Sequence, residues 1–315
     1  MIWDLARRLH AAGVLGINRR NADYMLVYNE RRRYPLVDDK VQTKRLAQSA
    51  GIAVPELYGV IEIERQVRDF STLIGDRSDF VIKPARGSGG NGVLIVSGRH
   101  DGEFARINGQ SLSVAQLEHH LFNTLSGLYS LGGNPDVAMV EYRVDPDPVF
   151  AAISYLGVPD VRIVVFLGVP VMAMVRLPTR ASGGKANLHQ GAIGAGIDLA
   201  SGKTLTAVWR NDIIAQHPDT GGPAGGVQVP RWDELLLLAA RCTDLTGLGY
   251  IGVDVVLDRE RGPLMLEINA RPGLNIQIAN ATGLASRLRQ VERVRTSLAD
   301  VQSRIAFARQ AFAAG

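Results

Sequence analysis

The chain has 315 residues, 46% of them hydrophobic and 21% charged, with a formal net charge of +4 and a pI near 9.3, which suits a soluble globular protein of about two compact units. The positive excess is mild, and Arg31-Arg32-Arg33 is its one short cluster, so the sequence does not read as a nucleic-acid surface. The single cysteine, Cys242, excludes an intrachain disulfide and fits a reducing, cytoplasmic setting, while no uncharged apolar run approaches the about 20 residues of a membrane span.

In chain order, Ile2–Ala12 reads as an amphipathic helix ended by Gly13, with Trp3, Leu5 and Leu9 as core positions; its charges at Asp4, Arg7 and Arg8 exclude a signal peptide. The polar stretch Asn18-Arg19-Arg20-Asn21 follows. Asp38 and Asp39 then lead into a helix over Val41–Gly51, where acidic residues suit the positive end and glycine the other. Pro55 begins an extended segment. Asp79–Lys83 and Val93–Val96 read as a hairpin with a long glycine loop, Leu112–Leu128 as a helix and Val137–Tyr142 as a strand. Asp145-Pro146-Asp147-Pro148 continues no regular element and reads as a linker. Val161–Leu167 and Val171–Leu177 are strands around a Gly168 turn, and Ala181–Gly196 is a polar, glycine-rich loop. Trp232–Leu245 is a helix that takes Cys242 into the core, and Ile251–Leu257 and Leu264–Ile268 are strands joined by the charged turn 258–263. From Leu284, apolar residues recur at threes and fours through Leu288, Val291, Val294, Leu298, Val301 and Ile305. That spacing predicts a long helix, packed on the body or paired with a second copy.

Three groups of residues carry chemistry. In the first, a strand ends in Lys83, and Gly87, Ser88, Gly89, Gly90 and Gly92 crowd the turn behind it. Glycines let backbone N–H groups converge on an anion, and the lysine adds a charge for a phosphate. The loop is not a Walker A, which ends in Gly-Lys-Ser/Thr, nor a GxGxxG opening a helix. In the second, Glu267 and Asn269 alternate onto one face of a strand, and Asp254 on its neighbour can point into the same space. Two carboxylates and an amide oxygen suit Mg2+; the bland alternative, solvated carboxylates, fits poorly in strands this apolar. In the third, Met139-Val140-Glu141-Tyr142-Arg143-Val144 is an apolar strand running into a polar hinge, able to offer backbone groups to an adenine edge.

The motif order resembles the ATP-grasp superfamily: Asp39-Lys40, Val81-Ile82-Lys83-Pro84 with its glycine loop, Val140-Glu141-Tyr142, Asp160-Val161-Arg162, Asp254, and Glu267-Ile268-Asn269 followed by Arg271-Pro272-Gly273. Through Lys185-Ala186-Asn187-Leu188-His189-Gln190-Gly191 the chain is most similar to the alpha-L-glutamate ligase-like branch, over roughly residues 37–283. The resemblance implies an α/β (α+β) ATP-grasp fold of two subdomains clamping ATP. A short N-terminal region would occupy 1–60, a central subdomain with the glycine flap 61–144, a C-terminal subdomain with the metal site 145–283, and a helix 284–315.

The same resemblance implies an ATP-dependent carboxylate–amine ligase acting through an acyl phosphate, with glutamate as a candidate acid and two Mg2+ ions, or Mn2+, as cofactor. Lys40 and Lys83 would contact phosphates, the glycine loop would close over them, and Glu141, Tyr142, Arg143 and Val144 would line the adenine, with Asp160 near the ribose. Arg162, Arg176 and Lys185 would face the γ-phosphate or the acyl phosphate. Asn187 and His189 share the loop of Lys185, His189 as general base or as a residue that only holds the loop. Asp254, Glu267 and Asn269 would hold Mg2+, and Arg271 and Gly273 would lie beside the reacting carboxyl.

Two departures from the pattern stand out. Arg271 occupies a position where that branch often has serine, and only about forty residues precede Asp39-Lys40, so a homodimer or a partner chain would complete the acceptor site. Two further readings stay open: a kinase that stops at phosphoryl transfer, and a nucleotide-binding regulator without turnover. The full set of metal ligands speaks against the second.

Overall fold

Runs of alternating apolar residues build two antiparallel sheets, and helices cover their outer faces. The computed structural model describes residues 2–100 and 102–314. The first sheet contains β1 (Leu57–Ile61), β2 (Phe80–Pro84), β3 (Leu94–His100), β4 (Glu103–Arg106), β5 (Ser111–Leu112) and β6 (Ala138–Glu141), in the order β1-β6-β2-β3-β4-β5. The helix Val114–Leu125 buries Leu117 and Leu121 on one face of this sheet, against Phe80, Ile82, Phe104 and Val140. Ser113 caps that helix, its hydroxyl accepting from Gln116 N–H while the Gln116 side chain reaches back to Ser113 N–H. β1 begins inside the region expected to precede the central subdomain.

The second sheet contains β7 (Asp160–Phe166), β8 (Val169–Leu177), β9 (Ile193–Ile197), β10 (Thr204–Trp209), β11 (Asp212–Ile214), β12 (Tyr250–Asp258) and β13 (Gly262–Asn269), in the order β11-β10-β9-β8-β7-β12-β13. Leu167 and Gly168 both take positive φ, 49° and 80°, which makes the tight turn that the right-handed twist of a β7–β8 hairpin favours. The helices Trp232–Thr246 and Val301–Ala311 pack on this sheet. Cys242 is buried in the first of them, as the sequence indicates.

Three expectations change. The loop expected over 181–196 ends early, because Ile193–Ile197 is a strand, and β10 and β11 extend the sheet beyond it. The C-terminal helix is two, Leu284–Val294 and Val301–Ala311, separated by a 3-10 turn over Arg295–Ser297. Asp300 causes the restart by accepting from Ser303 N–H at 2.7 Å, a cap on a new first turn. Leu284, Leu288, Val291 and Ile305 are buried against the chain's own body, so the apolar stripe is consumed within the chain. Finally, Leu5 and Leu9 of the first helix are 57% and 45% exposed, and the Trp3 side chain lies outside the described residues. The N-terminal segment is anchored after that helix instead: Gly13 C=O accepts from Ala285 N–H, and the Leu15 backbone exchanges two hydrogen bonds with the Gln277 amide.

Candidate functional site

Strand alternation selects the groups that face the gap between the sheets. On β2, Phe80 and Ile82 enter the core, so Val81 and Lys83 turn the other way; on β6, Ala138 and Val140 enter it, so Met139 and Glu141 turn out. The register pairs Val81 with Glu141 and Lys83 with Met139, which sets Lys83 diagonally beside Glu141. The buried Glu141 carboxylate accepts from Lys83 Nζ at 2.6 Å and also from Lys44 Nζ, which donates to Pro55 C=O at 2.5 Å. Burial works to raise the Glu141 pKa, but the Lys83 and Lys44 ammoniums hold it below the ordinary carboxylate range. Burial works against the charge on Lys44 and brings it down to about 8, with Glu141 opposing. Sequence reasoning missed Lys44; the signal was its place one turn after Lys40 in the helix Lys40–Ser49, on the same side. Asp39 caps that helix, accepting from Val41 and Gln42 N–H. Lys40 donates to Gly87 C=O at 2.6 Å and stands 3.8 Å from Glu267 Oε2, so one ammonium spans the glycine loop and the second sheet.

On the second sheet, cross-strand partners assemble a charged layer. Asp160 pairs with Arg176, Arg162 with Asp254, and Asp254 with Glu267. Arg162 donates through Nε and Nη2 to the two oxygens of Asp254, at 2.7 and 2.6 Å. Arg176 grips Asp160 through Nε at 2.5 Å and through Nη2, and also reaches Asp254 Oδ2 at 2.8 Å. Burial acts to raise Asp254, but the Arg162 and Arg176 guanidiniums hold its carboxyl well below the usual range. Asp160 goes the other way: burial, aided by the Asp254 charge and resisted by Arg176, pushes it up to about 6. The Asn269 amide lies 3.3 Å from Asp254 Oδ2 and 3.1 Å from Glu267 Oε1. Asp254, Glu267 and Asn269 therefore converge. Among the described residues no group of three His, Cys, Asp or Glu side chains is placed to hold a metal, so an ion held by Asp254 and Glu267 would need the Asn269 amide as third ligand.

The glycine loop crosses to the loop of Lys185. Gly89, Gly90 and Gly92 all have positive φ, and the Gln190 side-chain amide donates to Gly89 C=O at 3.1 Å. Ser88, Gly90, Asn91, Gly92, Tyr129 and Lys185 line a cleft of about 400 Å³. Asn187 Oδ1 accepts from His189 N–H at 3.0 Å and shapes this loop; the His189 ring is exposed.

The remaining residues make the following contacts. The Tyr142 hydroxyl donates to Asp258 at 2.9 Å with Arg261 stacked over its ring, and Arg143 binds Asp79 at 3.0 Å. Val144 of the hinge joins an apolar wall with Val256 and Leu264, and the partly buried Tyr142 packs against the same cluster. Arg271 is exposed over the Tyr34 ring, 3.7 Å from Asp38, and space is open at Gly273. Arg20, also missed, is buried and donates to Pro272 C=O at 2.9 Å, supporting that turn from below. Burial pushes the Cys242 thiol up to about 12, which fits a core residue and no nucleophile.

Residues 19–293 match the model of the family described as sugar-transfer associated ATP-grasp. The chain is 34% identical over 113 residues to a probable alpha-L-glutamate ligase of Parasynechococcus marenigrum, covering 33% of this chain and 24% of that protein. It is 24% identical over 251 residues to a probable alpha-L-glutamate ligase of Klebsiella pneumoniae, covering 79% of this chain and 61% of that one. Among solved structures, a D-alanine–D-alanine ligase from Bacillus anthracis is similar at 14% identity and a TM-score of 0.46, over 84% of this chain and 70% of that chain. None of the chain's described helices is long and apolar enough to cross a membrane.

Proposed function

The chain belongs to the sugar-transfer associated ATP-grasp family, and from that premise we propose that it is an ATP-dependent carboxylate–amine ligase that works through an acyl phosphate. The observation that carries this reading is the facing of two charged layers: Lys40, Lys83 and the glycine loop on one side, Asp254, Glu267, Asn269, Arg162 and Arg176 on the other, with Lys40 reaching across. Hard oxygen donors on Asp254, Glu267 and Asn269 fit Mg2+, and rotating the Asn269 amide turns its oxygen toward the two carboxylates. Bound there, Mg2+ would supply charge neutralisation for the nucleotide's phosphate oxygens.

The chain's own groups divide the work. Lys83 and Lys40 hold phosphates, and the glycine loop supplies N–H donors and covers the cleft, excluding water from the acyl phosphate. Val144, Val256 and Leu264 give the adenine an apolar wall. A substrate carboxylate attacks the γ-phosphorus, the bond to the β-phosphate breaks and ADP leaves, giving the acyl phosphate; an amine then attacks the acyl carbon, phosphate leaves and the nitrogen gives up a proton. Lys185, exposed at the cleft edge, faces the departing phosphate, and the Arg162–Arg176 pair fixes the layer's geometry.

The test is Mg2+-dependent ADP release against acids and amines, singly and in pairs. Glutamate is the first acid to test, a choice supported by the names of the relatives, and amino sugars join amino acids and peptides among the amines to test, a choice supported by the family's link to sugar transfer. ADP that appears only with a pair, with a product lighter than the pair by one water, is the expected result. A stable phosphorylated product from one compound alone would replace the ligase with a kinase.

A further inference from the structure

We propose that Lys44 is a positioning residue of the nucleotide site: it holds Glu141 from behind and leaves Lys83 with an uncompensated positive charge for a phosphate. The inference rests on the ATP-dependent reading above and adds a residue to it. Three buried ionisable side chains meet here, two ammoniums and one carboxylate, with side-chain exposures of 3% for Lys44, 4% for Glu141 and 11% for Lys83. A one-to-one Lys83–Glu141 pair would be neutral. Lys44 makes the group carry a net charge of plus one in a place where unpaired charge is costly. Its neighbours Val41 and Ala47 fill buried positions of the same helix with apolar side chains.

No second carboxylate answers the surplus. Glu141 is the only carboxylate within ion-pair distance of Lys44 or Lys83 among the described residues. Lys40, one turn earlier on the helix, turns to Gly87 C=O and Glu267, and Glu56, beside Pro55, turns away to Arg261. The group is thus built for an external anion. Lys83 is its more open end, and Lys44 its closed end, fixed by Pro55 C=O and Glu141. Chemically, the occupant is a phosphate of a nucleoside triphosphate. The Lys44 ammonium, brought to about 8 mainly by burial, also ties the surplus to pH. Above that value the amine is neutral, Glu141 pairs with Lys83 alone, and the attraction for the anion falls.

The test is the dissociation constant of a non-hydrolysable ATP analogue with Mg2+, measured calorimetrically on the wild type and Lys44→Met between about pH 7.5 and about pH 9.5. The expected result is wild-type binding that weakens through about pH 8, and variant binding about ten-fold weaker at the low end with no such step, because one nearby charge is gone. Equal affinities in a variant with native thermal stability would overturn the proposal, as would an unchanged alkaline step in the variant. If Lys44→Met does not fold, the wild type decides alone: affinity flat across that range overturns it. Absence of any nucleotide binding to the wild type strikes instead at the ATP-dependent reading itself.

Discussion

Asp254 carries two demands at once. As the metal ligand proposed above it would have to offer an oxygen; in the chain as folded, both of its oxygens accept from Arg162, and Oδ2 accepts from Arg176 as well. Removing its charge leaves two part-buried guanidiniums facing an amide. Breaking a buried pair costs about 3 kcal/mol or more, so Asp254→Asn should lose activity and stability together. Glu267, with a side chain 34% exposed and Lys40 3.8 Å away, holds no such structural post. Glu267→Gln should keep its unfolding free energy within about 0.5 kcal/mol of wild type while losing Mg2+-dependent ADP release. Chemical denaturation of both variants separates the two roles; an equally stable Asp254→Asn protein would contradict the clamp. The residues of this layer were legible as motifs, because carboxylates in apolar strands ask for an explanation. Their pairing was not, since the partners Asp160–Arg176 and Arg162–Asp254 are set by a register between strands distant in sequence. The same limit hid Lys44, whose significance depends on Glu141, 97 residues away.

At the scale of elements, the sequence was read best where one period ran unbroken, as in β7, β8, β12 and β13, and worst where glycine interrupted it. Ile193-Gly194-Ala195-Gly196-Ile197 reads as loop because two of its five residues are glycine. The folded chain explains them: a Cβ on Gly196 would stand 2.5 Å from Ala279 C=O, so the short helix Ile276–Ala279 can lie directly on the strand only where side chains are missing. The glycine loop obeys a related constraint. Gly92 has φ +74°, a Cβ there would meet the Tyr129 ring at 2.5 Å, and its carbonyl faces His120 Nε2 at 3.0 Å. The loop is thus seated on Tyr129 and His120, and its rest position is specific. Gly92→Ala should unseat it by strain and by overlap with the ring. We expect nucleotide to protect this variant from proteolysis within the loop far less than it protects the wild type, with the unfolding midpoint lowered only slightly. Equal protection would mean that the loop closes without that seat.

For the whole molecule the question is what makes two sheets act as one clamp. The crossing segment after β6 is stitched to the far end of β12. Tyr142 Oη and Asp145 N–H donate to one oxygen of Asp258, Glu260 and Arg261 N–H donate to the other, and Asp147 N–H donates to Leu257 C=O. Asp258 is 1% exposed, so these bonds form with little competition from water, and each group left without its partner incurs a desolvation cost. Other contacts across the gap, Lys40 to Gly87 and Glu267, Gln190 to Gly89 and Arg261 to Glu56, use part-buried or exposed side chains and are weaker ties. Asp258→Ala should therefore loosen the coupling between the sheets more than it disturbs either one. Residues 57–141 contain no tryptophan, whereas Trp209 and Trp232 belong to the second-sheet side, so with Trp3 replaced by Phe in every protein compared, fluorescence follows that side and far-ultraviolet circular dichroism follows both. In the wild type the two denaturation curves should coincide, as a single cooperative unit requires. In Asp258→Ala the dichroism should begin to fall at lower denaturant than the fluorescence, because the smaller first-sheet core now unfolds on its own. Curves that stay superimposed in the variant would place the coupling elsewhere, in the Lys40 bridge, and Lys40→Met would then be the variant that splits them.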